Sequence, residues 1–287
     1  MLMNQQWKWD LGSRGVLVPG RWLWLRATAW SALLFSGALF FFFATLMQFP
    51  WLHLPHQPKL VGLLGPVVAF VAYAIAVKKG ERRMPEEVIP SSSIAYELII
   101  GALLGFTLMV SMLSLLWILG LYHVQVNHPR NWFSFFVSNS YISGTLEELA
   151  FRAILLRLFA RAFGPGWGLA LSALAFGAAH LSHATLLVGA EISFNAGLTM
   201  GLLYMASGRL WMSIAMHIAW DFTEGAVLGV DNHHGLFLST PVAGKPDLLT
   251  GGSFGPDGSL LAALIGTIFI IGILYANSKG LFNLRKR

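Results

Sequence analysis

The chain has no cysteine among its 287 residues, and charged residues make up only 11% of it. The first absence excludes disulfides, Cys-ligated metal sites and a thiol nucleophile, although it does not fix the redox compartment. The second, set against 56% hydrophobic residues and a mean hydropathy of +0.65, excludes a soluble domain of this length. A cleavable signal peptide is not expected: the first apolar run, from about residue 27 to 47, is long enough to span a bilayer, lacks a cleavage-site pattern, and reads as a retained helix. Internal repeats and inverted pairs of broken helices are missing too, which argues against a secondary transporter. The net charge of +6 reflects topology rather than nucleic acid, because Lys and Arg cluster in alternate loops.

What is present is a series of apolar runs near the ~20 residues a helix needs to cross ~30 Å of hydrocarbon. They predict an all-α polytopic membrane protein, a bundle of about eight spans at 27–47, 60–77, 96–121, 133–156, 167–183, 185–206, 210–229 and 259–277. With the amino terminus in the cytoplasm, fifteen of the nineteen Lys and Arg fall inside, against Lys59, Arg130 and Lys245 outside and Arg152 within a span. The positive-inside rule then puts both termini in the cytoplasm. The chain reads as a single membrane domain over 1–287: amino-terminal spans in 1–132, a core in 133–277, and a basic tail in 278–287. Two exterior loops stand out, 123–131, short and polar, and 231–259, rich in Gly and Pro and read as turns without periodicity.

Ionisable groups inside the spans are the candidate functional residues, since each costs at least ~2.5 kcal/mol at the bilayer centre by insertion scales. They are Glu147, Glu148 and Arg152 in GTLEELAFRAILLR, His180 in FGAAH, where Phe176 is its apolar neighbour one turn before, and His217 with Asp221 in MHIAWD, with His183 and Glu224 nearby. Glu148 and Arg152, four apart on one helix face, are expected to form a structural ion pair. Glu147 is rotated away from that pair and remains free for chemistry as a general base. His180 follows Phe176 by one helical turn. His217 and Asp221 share a face, a spacing that lets a carboxylate orient an imidazole or lets both ligate a metal. No role is assigned to His183, Glu191 or Glu224.

Depth links these groups. At ~1.5 Å per residue, Glu147 lies roughly 15 Å in from Arg157, His180 roughly 20 Å in from Trp167, and His217 to Asp221 roughly 12 to 18 Å in from Arg209. Four groups on three helices, spans four, five and seven, thus share one layer.

The three motifs, Glu-Glu-x-x-x-Arg in LEELAFR, Phe-x-x-x-His in FGAAH and His-x-x-x-Asp in MHIAWD, in this order on spans four, five and seven, resemble the CPBP family, the type II CAAX prenyl proteases and bacteriocin-processing relatives formerly called Abi proteins. The resemblance covers about residues 140–277. It implies an intramembrane endopeptidase in which Glu147 is the general base, His180 positions and protonates, and His217 and Asp221 line the oxyanion site. The family position of Asp221 is often Asn, and an ionised Asp cannot donate to an oxyanion, so Asp221 is either protonated or an orienter of His217. The family has also been called metalloproteases, and Glu147, His180, His217 and Asp221 are Zn ligands by type. Catalysis without a cofactor is the preferred expectation, zinc the alternative.

The expected partners are the lipid bilayer and a membrane peptide, prenylated chain or membrane-protein substrate, with no nucleic acid. Two other classes remain open: a non-enzymatic scaffold or immunity-type membrane protein, and a proton-coupled transporter whose Glu and His relay protons.

Overall fold

The computed structural model of the chain describes residues 7–47, 58–128, 132–230 and 235–282. Arg130 and the basic residues Arg285, Lys286 and Arg287 lie outside them, as does part of each exterior loop. Among the described residues, eight long helical elements and one small sheet form an all-α polytopic bundle. They are α1 (Leu23–Leu46), α2 (Pro58–Ala76, extended by Val77–Glu81), α3 (Ile94–Ile118), α4 (132–163), α5 (Pro165–Ala179), α6 (Leu186–Ser207), α7 (211–227) and α8 (Leu260–Ser278). Five of them, α1, α2, α3, α6 and α8, are long and apolar enough to cross a membrane. Of the eight expected spans, the other three are α4, which carries Glu147, Glu148 and Arg152, and the shorter α5 and α7.

Local chemistry fixes several of the boundaries. The Thr185 and Ser259 side chains accept hydrogen bonds from the backbone N–H of Val188 and Ala262, capping α6 and α8. Pro165 opens α5 in the first turn, where its missing N–H costs nothing, after a tight corner at Gly164 with φ +94°. π-helical turns interrupt three of these helices, at Phe136–Tyr141 and Leu149–Leu156 in α4, Ser193–Gly197 in α6 and Thr223–Val227 in α7. Such turns recur at functional sites.

The structure departs from the sequence expectation in three places. First, α4 does not stop near residue 156 but runs on to Phe163, so Arg157, assigned to a loop, is fully buried. Its guanidinium grips Glu81 through two bonds of 2.9 and 2.7 Å, and Arg83 binds Glu81 at 2.7 Å and Glu87 at 2.6 Å. Burial works against the charge of Glu87. The Arg83 hydrogen bonds and the charges of Arg157 and Arg83 nevertheless hold its carboxyl below the ordinary glutamate value of 4.5. Second, α5 ends at Ala179, and His180 is the residue that closes the helix rather than one inside it. Third, the two loops expected to be exterior are not only turns: β1 (Tyr122–Val126) pairs antiparallel with β2 (Phe237–Pro241), Val124 opposite Ser239.

α3 lies closely along α7, and glycine is the reason. A Cβ on Gly101 would meet the Met212 carbonyl oxygen at 2.2 Å, and one on Gly105 would meet that of Met216 at 2.2 Å. Two small residues one turn apart let the backbones approach where lipid tails supply no hydrophobic drive for association. The helix so positioned carries His217.

Candidate active site

The site forms where α4, α5, α6 and α7 converge. α4 supplies two adjacent glutamates with different surroundings. Glu148 is wholly buried, bound to Arg152 at 2.8 Å and to Nδ1 of His217 at 2.9 Å. Because a carboxylate only accepts, Nδ1 of His217 carries the proton and donates it. Glu147 is 19% exposed at the side chain, and its buried Oε2 has no hydrogen-bond partner.

Both groups facing Nε2 of His217 are carboxyls: Asp221 at 3.7 Å and Glu147 at 4.0 Å. Each distance is too long for a direct hydrogen bond and is in the range where a bridging water is to be considered. The shared face of His217 and Asp221 is therefore present, but the group in contact with Nδ1 is Glu148. A pair read as scaffold reaches the candidate histidine directly.

Phe176 is the hub of the apolar side. Its ring lies 4.9 Å from that of His180 and 5.9 Å from that of His217, and the Arg152 guanidinium sits 4.3 Å over it. The same residue's carbonyl accepts from Nδ1 of His180 at 2.8 Å, which fixes the tautomer and leaves Nε2 of His180 with a free lone pair. His180 is within electrostatic reach of Glu147, His217 and His183.

A cavity of about 340 Å³ opens onto these groups. His180, His217, Asp221, His183 and Glu224 line it, as do residues that sequence reasoning left without a role or passed over, Glu191 and Asn195 on α6 and Ser253, Phe254 and Asp257 in the loop before α8. Glu147 is not among the lining residues; its Oε2 lies 4.0 Å from Nε2 of His217, which is. The loop is held in place from the sheet, since the Tyr122 hydroxyl donates to the Thr250 carbonyl at 3.0 Å, and Phe254 stacks on His183 with ring centroids 6.0 Å apart.

As ligands for zinc the candidate residues do not fit as they stand. Among the described residues no three His, Asp or Glu side chains converge on one point, and a Zn site needs donors at about 2.0–2.2 Å. No catalytic step is therefore derived through a metal.

Residues 129–223 match the family model of the type II CAAX prenyl endopeptidases, Rce1-like, consistent with the CPBP resemblance. The matched segment contains all three motifs. The family implies an intramembrane endopeptidase in an integral membrane protein. No curated protein and no solved structure matches the chain.

Proposed function

We propose that this protein hydrolyses a peptide bond of a membrane-associated substrate, with Glu147 and His180 activating a water and His217 stabilising the oxyanion. One observation carries the reading: Glu147 and Asp221 each lie within 4.0 Å of Nε2 of the Glu148-bound His217, and His217 and Asp221 line a cavity, inside the segment that matches the protease family.

The chemistry follows from donor and acceptor roles. The Glu147 carboxylate takes a proton from water beside the free Nε2 of His180, and the water oxygen attacks the carbonyl carbon. The carbonyl π electrons move to oxygen, and that charge accepts a hydrogen bond from Nε2 of His217. With Nδ1–H committed to Glu148, donation from Nε2 requires the imidazolium form, whose charge Glu148 offsets. Glu147 then delivers its proton to the amide nitrogen, the C–N bond breaks, and the products are a carboxylic acid and an amine. Asp221 borders the donor nitrogen and aids its orientation.

The test is comparative peptidomics of membranes carrying the active protein or Glu147→Gln, followed by assay of the purified proteins. The amide keeps the shape and cannot take the proton, so turnover should fall about 10²–10⁴-fold while the variant still inserts and folds. Near-normal turnover by folded Glu147→Gln would remove Glu147 from the base role. Ion flux without cleavage would replace the peptidase with a transporter.

A further inference from the structure

Four rings run in file from the buried side of the site to the loop before α8. Phe176 lies 4.9 Å from His180, His180 lies 5.6 Å edge-on from His183, and His183 stacks on Phe254 at 6.0 Å with the ring planes 12° apart. All three separations fall in the range where aromatic pairs attract. His180 has need of such neighbours, because it closes α5 rather than lying inside it. Its ring is tied through Nδ1 to the Phe176 carbonyl at 2.8 Å. A bond at one atom fixes the tautomer but leaves the ring able to turn about it.

The chain comes back at once to give His180 a second neighbour. The N–H of His183 donates to the His180 carbonyl at 3.1 Å, a turn that brings the two rings together, and Nδ1 of His183 is 3.0 Å from the Ser182 hydroxyl. His183 is exposed, and Phe254 backs it. Phe254 reaches that position because the loop folds tightly. Gly251 takes a left-handed turn at φ +82°, and a Cβ on it would collide with the Gly255 carbonyl oxygen. The loop is pinned at both ends, by the Tyr122 hydroxyl on the Thr250 carbonyl and by the Ser259 cap of α8.

We infer that His183 and Phe254 are positioning residues for the hydrolysis, the outer half of an aromatic clamp that sets the angle at which Nε2 of His180 meets the attacking water. The inference rests on the peptidase reading of the same cavity. A lone pair that must point at a water tolerates little rotation of its ring, and a small misplacement at such a centre lowers the rate steeply. Phe176 holds the ring from α5, and His183, steadied by Phe254, holds it from beyond the end of that helix.

The experiment uses the full chain in lipid nanodiscs and a membrane peptide found by comparative peptidomics to be cleaved. His183→Ala, Phe254→Ala and the double variant are compared with the ring-retaining His183→Phe and Phe254→Tyr. Where an Ala variant does not fold, Leu at the same position removes the ring and keeps the bulk. Each Ala variant should lower kcat by roughly two- to tenfold, the equivalent of one lost aromatic contact, with KM unchanged. The ring-retaining variants should work like the unaltered chain. The double variant should lose no more than His183→Ala, because Phe254 acts through His183. In parallel, nitrogen NMR of histidine-labelled protein without substrate follows His180, assigned by its disappearance in His180→Gln, and the signal should shift or broaden in both Ala variants. A raised KM at constant kcat would make the two rings substrate contacts, and a loss as large in His183→Phe as in His183→Ala would make the imidazole nitrogens the active feature. Either result, or an unmoved His180 signal, overturns the inference and leaves the peptidase reading standing. A His180 signal that moves in a protein that cleaves no peptide supports the clamp and sinks the peptidase reading. Neither cleavage nor a moved signal sinks both.

Discussion

Replacing Glu148 by Gln tests the centre of the site, because one buried carboxylate serves two partners. The amide keeps the volume and one acceptor oxygen, so the 2.9 Å contact with Nδ1 of His217 can persist, but the charge facing Arg152 is gone. Arg152 is 1% exposed, and what remains to it is the Ala196 carbonyl at 3.2 Å and the Phe176 ring at 4.3 Å. A buried cation stripped of its counter-ion costs about 3 to 5 kcal/mol. Those two contacts are neutral and Glu147 acts on Arg152 only through space, so together they recover only part of that. Using the relation between stability and melting temperature for chains of this size, the loss corresponds to roughly 6 to 20 °C. The assay is a thermal melt of detergent-solubilised protein for four forms: the unaltered chain, Glu148→Gln, Arg152→Met, and the double variant. Each single change leaves a buried charge alone and should melt early. The double variant removes both charges of the pair and should melt later than either single, because the pair's desolvation penalty vanishes with the pair. Singles that melt like the unaltered chain, or a double variant that shows the sum of their losses, would refute the ion-pair reasoning.

Other consequences are equally specific. Gly105→Ala sets a Cβ 2.2 Å from the Met216 carbonyl oxygen and should cost about 1 to 3 kcal/mol with a fall in turnover, whereas Gly272→Ala, with no atom within 4 Å, should do neither; melts and turnover of the two variants decide it. The depressed carboxyl of Glu87 contributes stability that is complete above its ordinary 4.5 and is lost as pH falls through the lower folded value. Melting temperature should therefore drop as pH goes from 6 toward 3, and the drop should be smaller in Glu87→Gln. Protein stripped by a chelator should keep its peptidase activity. Elemental analysis finding about one zinc per chain, with activity lost on stripping and restored by zinc, would instead make His180, His217 and a carboxylate its ligands.

The apolar runs were legible because hydropathy depends on composition, and the starts of α6 and α8 matched because Thr185 and Ser259 announce a cap. The far end of α4 was not legible. Arg157 looks like a loop cation until Glu81, far away in sequence, neutralises it at 2.7 Å and allows the helix to continue in a buried setting. The β1–β2 pairing was hidden for a related reason, since two five-residue strands carry too little pattern to be told from turns. At the site, spacing along one helix revealed Glu148 with Arg152 and His217 with Asp221. Contacts between helices, such as Glu148 with His217, have no spacing to read. Glu191 did leave a signal, an acid within an apolar run, the same criterion that singled out Glu147. Asp257 left none, as it stands in a Gly and Pro-rich loop where acids are ordinary.

His217 is fixed from two independent directions. From α3, Gly101 and Gly105 let the backbone of α7 come to a distance that any side chain would forbid, which sets where the histidine's Cα stands. From α4, Glu148 sets how the imidazole turns, by taking Nδ1–H and directing Nε2 toward Glu147 and Asp221. Neither constraint suffices alone: a correctly placed helix leaves the ring free to rotate, and an oriented ring on a displaced helix misses the cavity. A site that must hold donors within a few tenths of an ångström of a developing charge needs both position and angle. In a membrane the usual means of fixing position, hydrophobic burial, is weak between helices, so the close approach falls to glycine and the angle to a buried charge. The ion pair that looks like scaffold and the glycines that look like packing are in this sense parts of the proposed chemistry.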